Sequence, residues 1–299
     1  MSAGARVARR AAELLGGPAG DARPVPGGDI CEAFRLDAGG RAVFAKTLTA
    51  PPPGFFRAEA AGLALLGGSG AVAVPEVLAV ADDLLVLEWV EPGRPGPEAA
   101  ERLGRDLAAL HGTPAEAWGT PGRPAYLGPL PLPSPPQPLT SAGDWPAFHA
   151  EHRLLPFVRQ AVDRGNLAGD DVRAVERLCD RLDEVAGPPQ PPAVIHGDLW
   201  SGNVHWAADA PAGSPQPGRA RLLDPAAQGG HPETDTAMLQ LFGCPFLERV
   251  LAAYDEARPV PGRAARVPLH QLQHLLVHAV LFGGGYGARC GAAARAALG

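Results

Sequence analysis

A few polar side chains stand at spacings that suit phosphoryl transfer from a nucleotide. Val194-Ile195-His196-Gly197-Asp198-Leu199-Trp200-Ser201-Gly202-Asn203-Val204 carries an apolar run into a turn that presents Asp198, with Asn203 five residues later. Farther on, Ala220-Arg221-Leu222-Leu223 ends at a second carboxylate, Asp224. Transfer of a γ-phosphoryl group needs one carboxylate to take or orient the acceptor hydroxyl's proton. It also needs a carboxamide and a second carboxylate to hold Mg2+ on the phosphates. Asp198 suits the first role, and Asn203 with Asp224 the second. Lys46, in the strand-like Val43-Phe44-Ala45-Lys46-Thr47-Leu48, can reach the α- and β-phosphates. Glu59, thirteen residues later, is placed to hold that ammonium as an ion pair. The turn Pro26-Gly27-Gly28-Asp29-Ile30 can cover phosphates, although its two glycines fall short of a full GxGxxG.

The composition sharpens this reading. Lys46 is the single lysine beside 25 arginines, and Asn203 is one of two asparagines, with Asn166. A lone lysine against such a background marks a place where a compact ammonium fits and a planar guanidinium does not. The chain has 299 residues, 46% of them hydrophobic, which is enough for a substantial core. Gly 38 and Pro 34 imply long loops without a collagen-like period. A net charge of −6 with no basic stretch argues against a nucleic-acid partner. Val72 to Val90, the best candidate for a membrane span, is interrupted by Pro75, Glu76, Asp82, Asp83 and Glu88. Cys31, Cys179, Cys244 and Cys290 form no CxxC pair, and the first residues lack a signal-peptide apolar core. A cytoplasmic location is therefore expected.

The elements that must position these residues divide into two groups. Residues 1–90 read as a small nucleotide-binding lobe of short strands at Ala22–Val25, Cys31–Leu36, Ala42–Leu48, Glu76–Ala81 and Leu84–Trp89. One helix, Phe55–Leu66, lies among these strands, and the N-terminal residues read as a short amphipathic helix. Residues 91–299 read as a larger, mostly helical catalytic and substrate-binding lobe. Its helices are expected at Glu98–His111, Trp145–Arg164, Asp171–Ala186, Thr234–Phe242, Pro245–Ala257, Val267–Phe282 and Ala288–Leu298. A Pro-rich connection at Thr113–Gly143 is expected to be an ordered surface excursion, and Ala207–Gly218 a variable hairpin tip. The fold class is α+β: a bilobal, protein-kinase-like arrangement.

These residues carry a family resemblance. His196-Gly197-Asp198-Leu199 followed by Asn203 resembles the aminoglycoside phosphotransferase and choline kinase group. The fuller HGDLWSGNV, LLDPAAQGGHPETDTAM, LFG and the FGGGY of Phe282 to Tyr286 are similar to the fructosamine (ketosamine-3-) kinase family. GGDICEAFRL, DWPAFHAEHRLLP and VPGRAARVPLHQLQHLLVH match in order, so the resemblance spans essentially the whole chain. It implies ATP- and Mg2+-dependent phosphorylation of the 3-hydroxyl of a ketosamine, free or protein-bound. The 3-phosphate then eliminates spontaneously, which is deglycation. Carried over, Asp198 matches the catalytic base, Asn203 and Asp224 the magnesium ligands, and Lys46 with Glu59 the phosphate anchor. Gly27 and Gly28 match the nucleotide-covering loop, and Leu87, Glu88 and Val90 the adenine-binding hinge. Asp235 resembles the carboxylate that braces the catalytic loop. Trp200, His231, His278 and Tyr286 are assigned to the sugar side, because aromatic faces suit the apolar face of a sugar.

The chain departs from the family pattern in the Pro-rich connection, where Pro136-Gln137-Pro138 is not followed by the expected Asn. Cys31 lies out of register with the loop cysteine of some members and is read as a plain strand residue. His270, His274 and His278 recur at four-residue spacing, yet packing or substrate lining accounts for them better than a metal site. An antibiotic or small-metabolite kinase and a non-catalytic nucleotide-binding relative stand as alternatives. The expected partners are ketosamines or glycated proteins, with the chain a monomer or weak homodimer.

Overall fold

The computed structural model describes residues 2–28, 30–208 and 219–299; Asp29 and residues 209–218, within the segment Ala207–Gly218 expected as a hairpin tip, lie outside the described residues. Helix α1 (Ala3–Leu15) precedes strands β1 (Arg23–Pro24), β2 (Glu32–Ala38) and β3 (Arg41–Thr47). Helix α2 (Phe55–Gly68) leads to β4 (Val77–Val80) and β5 (Leu84–Glu88). The five strands form one antiparallel sheet in the order β1-β2-β3-β5-β4.

Strand alternation decides what each face of this sheet does. Phe34, Leu36, Val43, Ala45, Leu84 and Val86 point to one side, where Val7 and Ala11 of α1 cover them. Leu85 and Leu87 point to the other side, against Phe55, Phe56 and Leu63 of α2. Lys46 shares that second side, because it follows Ala45 and pairs with Leu85. A slip of one residue would turn it into the α1 core. The small lobe thus carries two packed helices, α2 among the strands and the N-terminal amphipathic helix α1 on the other face of the sheet. The N-terminal amphipathic segment, capped by Ser2 and by left-handed Gly16, is integral to it.

The large lobe begins with α3 (Pro97–Leu110) and the hairpin β6 (Tyr126–Leu127) and β7 (Leu130–Pro131). Then come α4 (Trp145–His149), α5 (Leu155–Asp163), α6 (Gly169–Asp180) and α7 (Leu182–Val185). Two antiparallel pairs follow, β8 (Ala193–Ile195) with β11 (Gln228–Gly230), and β9 (Val204–Trp206) with β10 (Ala220–Leu222). Helices α8 (Glu233–Phe242), α9 (Leu247–Ala257), α10 (Arg263–Phe282) and α11 (Tyr286–Leu298) complete the chain. The apolar stripe Leu269, Leu272 and Leu276 of α10 sits in a core shared with Phe157 of α5, Leu178 of α6 and Ala294 of α11.

Two expectations change here. The helix anticipated over Trp145–Arg164 is interrupted by a π-helical turn at Ala150–Leu154. Pro156 has no N–H to give the carbonyl of His152, which accepts instead from the Arg153 guanidinium at 2.8 Å. The Pro-rich connection is not a surface excursion either. Trp118, Leu127, Leu130 and Leu132 are buried in the main core, and Gly119 exchanges backbone hydrogen bonds with Gly229.

Candidate active site

The cleft between the sheet and the large lobe, about 1180 Å³, is lined by Gly27, Gly28, Lys46, Glu59, Leu87, Glu88, Val90, Asp198, Asn203 and Asp224. Trp200, His278 and Tyr286 line it as well. The Asp198 turn leaves β8 through Gly197, whose φ of 81° lies in the left-handed region. A Cβ there would meet the Ala226 carbonyl oxygen at 2.4 Å, so only glycine closes this turn.

Hydrogen bonds from several elements hold the turn. Asp235, in the first turn of α8, accepts the backbone N–H groups of His196 at 2.7 Å and Gly197 at 2.9 Å. His111 at the end of α3 donates Nε2–H to the same carboxylate at 3.1 Å, and its Nδ1 meets the Tyr254 hydroxyl of α9 at 2.8 Å. Burial opposes the charge of Asp235, but the His111 contact, then His196 with its backbone N–H, outweigh it and hold the pKa below the ordinary value. His196 is buried and therefore biased toward the neutral ring. It donates Nε2–H to the Leu223 carbonyl at 2.8 Å and accepts the Asp198 N–H on Nδ1 at 3.2 Å. One imidazole thus ties the Asp198 turn to the chain entering Asp224.

Asp198 itself is pushed up to about 7, first by burial and then by the charges of Asp224 and Asp235. That value suits a group that takes a proton near neutral pH. Asn203 donates Nδ2–H to the Asp198 carbonyl at 2.8 Å, which leaves Oδ1 as a hard acceptor facing the cleft. Asp224 stands at φ 50°, a left-handed conformation uncommon outside glycine, which aims its carboxylate from the chain leaving β10 into the cleft. A carboxylate and a carboxamide oxygen facing one cleft form a donor set that fits Mg2+.

Across the cleft, Lys46 Nζ lies 2.9 Å from Glu59 Oε2 and 2.8 Å from Asp224 Oδ1. Burial disfavours the ammonium, but Asp224 and then Glu59 outweigh it and raise the pKa. The same ammonium holds Asp224 below its ordinary value against burial. At the end of β5, the Glu88 side chain is taken by Arg221 at 2.6 Å, and the Val90 carbonyl accepts Nε2–H of His205 at 3.1 Å. Gly27 and Gly28 adopt φ of 112° and 87°, which places backbone rather than side chain along this edge of the cleft.

At the opposite end, His278 donates Nδ1–H to the His274 carbonyl at 2.8 Å and packs between Phe242, Phe282 and Tyr286. Trp200 is 37% exposed at the rim. His231 departs from its sequence assignment: it does not line the cleft but is buried behind β8 against Trp145 and His270. The β11 strand ends just before it, and the turn into α8 sends Asp235 toward the Asp198 turn and His231 to the far side. Ligand atoms of His231, Glu233 and His270 come within 4.8 Å of one another. The Glu233 carboxylate there is already held by Arg266 through contacts of 2.8 to 3.1 Å, so these rings are packing groups. Sequence reasoning missed His196 and Arg221, whose partners lie on distant strands. It treated His274 only as a packing or lining residue.

A β-rich lobe set over a helical one, with a Lys–Glu pair facing an Asp–Asn–Asp set across one cleft, defines the protein-kinase-like class of phosphotransferase. An aminoglycoside phosphotransferase in ternary complex with ADP and hygromycin B shares this fold, at TM-score 0.60 and 19% identity over 98% of this chain and 99% of its own. A structure described as that of a fructosamine-3-kinase from Thermobifida fusca YX-ER1 is similar at TM-score 0.87 and 46% identity, covering 98% of both chains. A protein named as a ketoamine kinase in Thermus thermophilus is 40% identical over 268 residues, 89% of this chain and 90% of its own length. A chloroplastic protein-ribulosamine 3-kinase of Oryza sativa is 31% identical over 85% of this chain and 71% of its own. The fructosamine kinase model matches residues 5–298, and the chain belongs to the fructosamine kinase family.

Proposed function

We propose that the chain is an ATP- and Mg2+-dependent ketosamine 3-kinase, and that its product's elimination completes deglycation of small or protein-bound amines. The observation that carries this reading is the chemistry of the acceptor end. Among the described residues, the carboxylates lining the cleft are Glu59, Glu88, Asp198 and Asp224. Glu59 and Asp224 are paired with Lys46, and Glu88 with Arg221. Only Asp198 remains to face an acceptor, set among Trp200, Phe242, His278, Phe282 and Tyr286. A polycationic aminoglycoside needs several carboxylates, whereas a sugar bearing one amine needs a base and aromatic faces.

In this reading Asp198 accepts the 3-hydroxyl proton as that oxygen forms its bond to the γ-phosphorus of ATP and the bond to ADP breaks. Lys46, fixed by Glu59, binds the α- and β-phosphates, and the backbone at Gly27 and Gly28 covers them. Leu87, Glu88 and Val90 receive the adenine, and Trp200, His278 and Tyr286 orient the sugar. Asp235 braces the turn. Asn203 Oδ1 and Asp224 would hold Mg2+, which when bound neutralises phosphate charge.

The reading is tested by ATP consumption with Mg2+ against a ribulosamine, a fructosamine, an aminoglycoside and choline. Turnover confined to the ketosamines is the expected result, and turnover on the aminoglycoside or choline alone would overturn it. Asp198→Asn is expected to reduce kcat by roughly 100- to 10,000-fold while ATP still binds. Full activity in that variant removes Asp198 from the base role.

A further inference from the structure

We infer that His274, on the buried face of α10, is a positioning residue that sets the orientation of Asp198 for phosphoryl transfer. The inference rests on the reading of Asp198 as the base. His274 Nε2 lies 2.9 Å from the Gly197 carbonyl oxygen and 3.9 Å from Asp198 Oδ1. A carbonyl only accepts, so Nε2 carries the ring's proton. Burial drives the His274 pKa down to about 4, which keeps the ring neutral and Nδ1 a bare lone pair. That Nδ1 is buried without a hydrogen-bond partner. A buried unpaired acceptor carries a standing cost that a leucine or phenylalanine at this core position would not. The ring is therefore retained for its other nitrogen.

The job of that nitrogen follows from the geometry of one peptide unit. The Gly197–Asp198 peptide presents its carbonyl to His274 and its N–H to His196, while Asp235 takes the two preceding N–H groups. Gly197 has no Cβ to resist rotation, and its left-handed φ of 81° is imposed by these partners. Without the His274 donor, the carbonyl end of the unit directly before Asp198 is released, and the carboxylate swings with it. His274 also lines the cleft beside Asp198, and in this scheme it acts through the Gly197 carbonyl.

Comparing His274→Gln with His274→Asn tests the assignment. The glutamine amide nitrogen reaches the place of Nε2 and restores the donor, whereas asparagine stops at the place of Nδ1 and leaves the carbonyl unpaired. With whichever acceptor the enzyme turns over, His274→Asn is expected to lower kcat about 10- to 100-fold, with KM for ATP within about twofold of wild type. His274→Gln is expected to recover most of the rate. His274→Phe, which keeps ring shape without the donor, should match the asparagine variant. Equal rates in wild type and His274→Asn overturn the inference, as does an equal loss in the glutamine and asparagine variants. Because the comparison uses the acceptor that proves active, an error about the ketosamine leaves this test intact. Loss of the base role would show separately as full activity in Asp198→Asn.

Discussion

Lys46 has a side chain that arginine, used everywhere else for positive charge in this chain, does not replace. Its Nζ sits 2.9 Å from Glu59 and 2.8 Å from Asp224, and the residue is only 7% exposed. A guanidinium is wider, and its fixed fork would split the two carboxylates that a point charge draws together. Lys46→Arg is expected to lower kcat/KM for ATP on the order of 100-fold despite the conserved charge, since the phosphate donor is displaced. Steady-state kinetics with varied ATP check this, and a near-wild-type value would mean that charge alone suffices. The Lys46–Glu59 pair was legible as a strand residue and a helix residue thirteen apart. His196 was legible only as part of a motif, because its partner, the Leu223 carbonyl, lies 27 residues away.

Helices α3 and α9 illustrate how a close approach between elements supports the site without entering it. They carry His111 and Tyr254, whose contact holds Asp235. Their spacing is set by Gly104, where a Cβ would meet the Val250 carbonyl oxygen at 2.2 Å and the Ala253 Cβ at 3.1 Å. Gly104→Ala is expected to lower stability by about 1 to 3 kcal/mol by forcing the helices apart. Gly68→Ala, at the end of α2 with nothing within 4 Å of its Cβ, is expected to leave it unchanged or slightly raised. Thermal unfolding of the two variants checks the contrast, and a similar midpoint for both would show that the α3–α9 contact yields easily. The sequence showed α3 and α9 as amphipathic, but no periodicity names the helix that a glycine touches. Arg153 makes the same point: fully buried, it donates to the Pro133 carbonyl and to Gln228, joining segments far apart in the chain.

Across the whole molecule, the buried imidazoles couple folding to pH. His149 and His231 are lowered to about 3, chiefly by burial, with nearby positive charge adding to it. Below the ordinary histidine value of 6.5 the unfolded chain protonates these rings while the folded chain does not, so stability falls as pH drops toward 3. Each such group contributes a slope of about 1.4 kcal/mol per pH unit in that window. Asp198, raised to about 7, acts in the opposite direction, so the contribution of one ring is read from a variant rather than from the total. His149→Phe keeps a ring for stacking on Trp145, 4.7 Å away, and removes the titration. Urea unfolding at pH 7.5, 6.0 and 5.0 is expected to give this variant a shallower loss of stability than wild type. Parallel losses would exclude His149 as a contributor. No helix among the described residues is long and apolar enough to cross a membrane.

The sequence by itself placed Asp198 and Asn203 five residues apart on one turn, where local spacing alone brings them together, whereas Asp224, 26 residues from Asp198, reaches them only through the strand pairs β8–β11 and β9–β10. It also determined the two-lobed order of strands then helices, because alternation and 3.6-residue periodicity are properties of consecutive residues. The tertiary structure decided which histidines meet the Asp198 turn. His231 and Asp235 stand four residues apart in one motif, yet the turn into α8 sends one behind β8 and the other onto the Asp198 turn. His274 stands 77 residues from the Gly197 carbonyl it holds, and no local pattern encodes that distance. Side-chain direction at such positions is set by how α10, β8 and α8 pack in three dimensions, a long-range property that spacing along the chain does not carry.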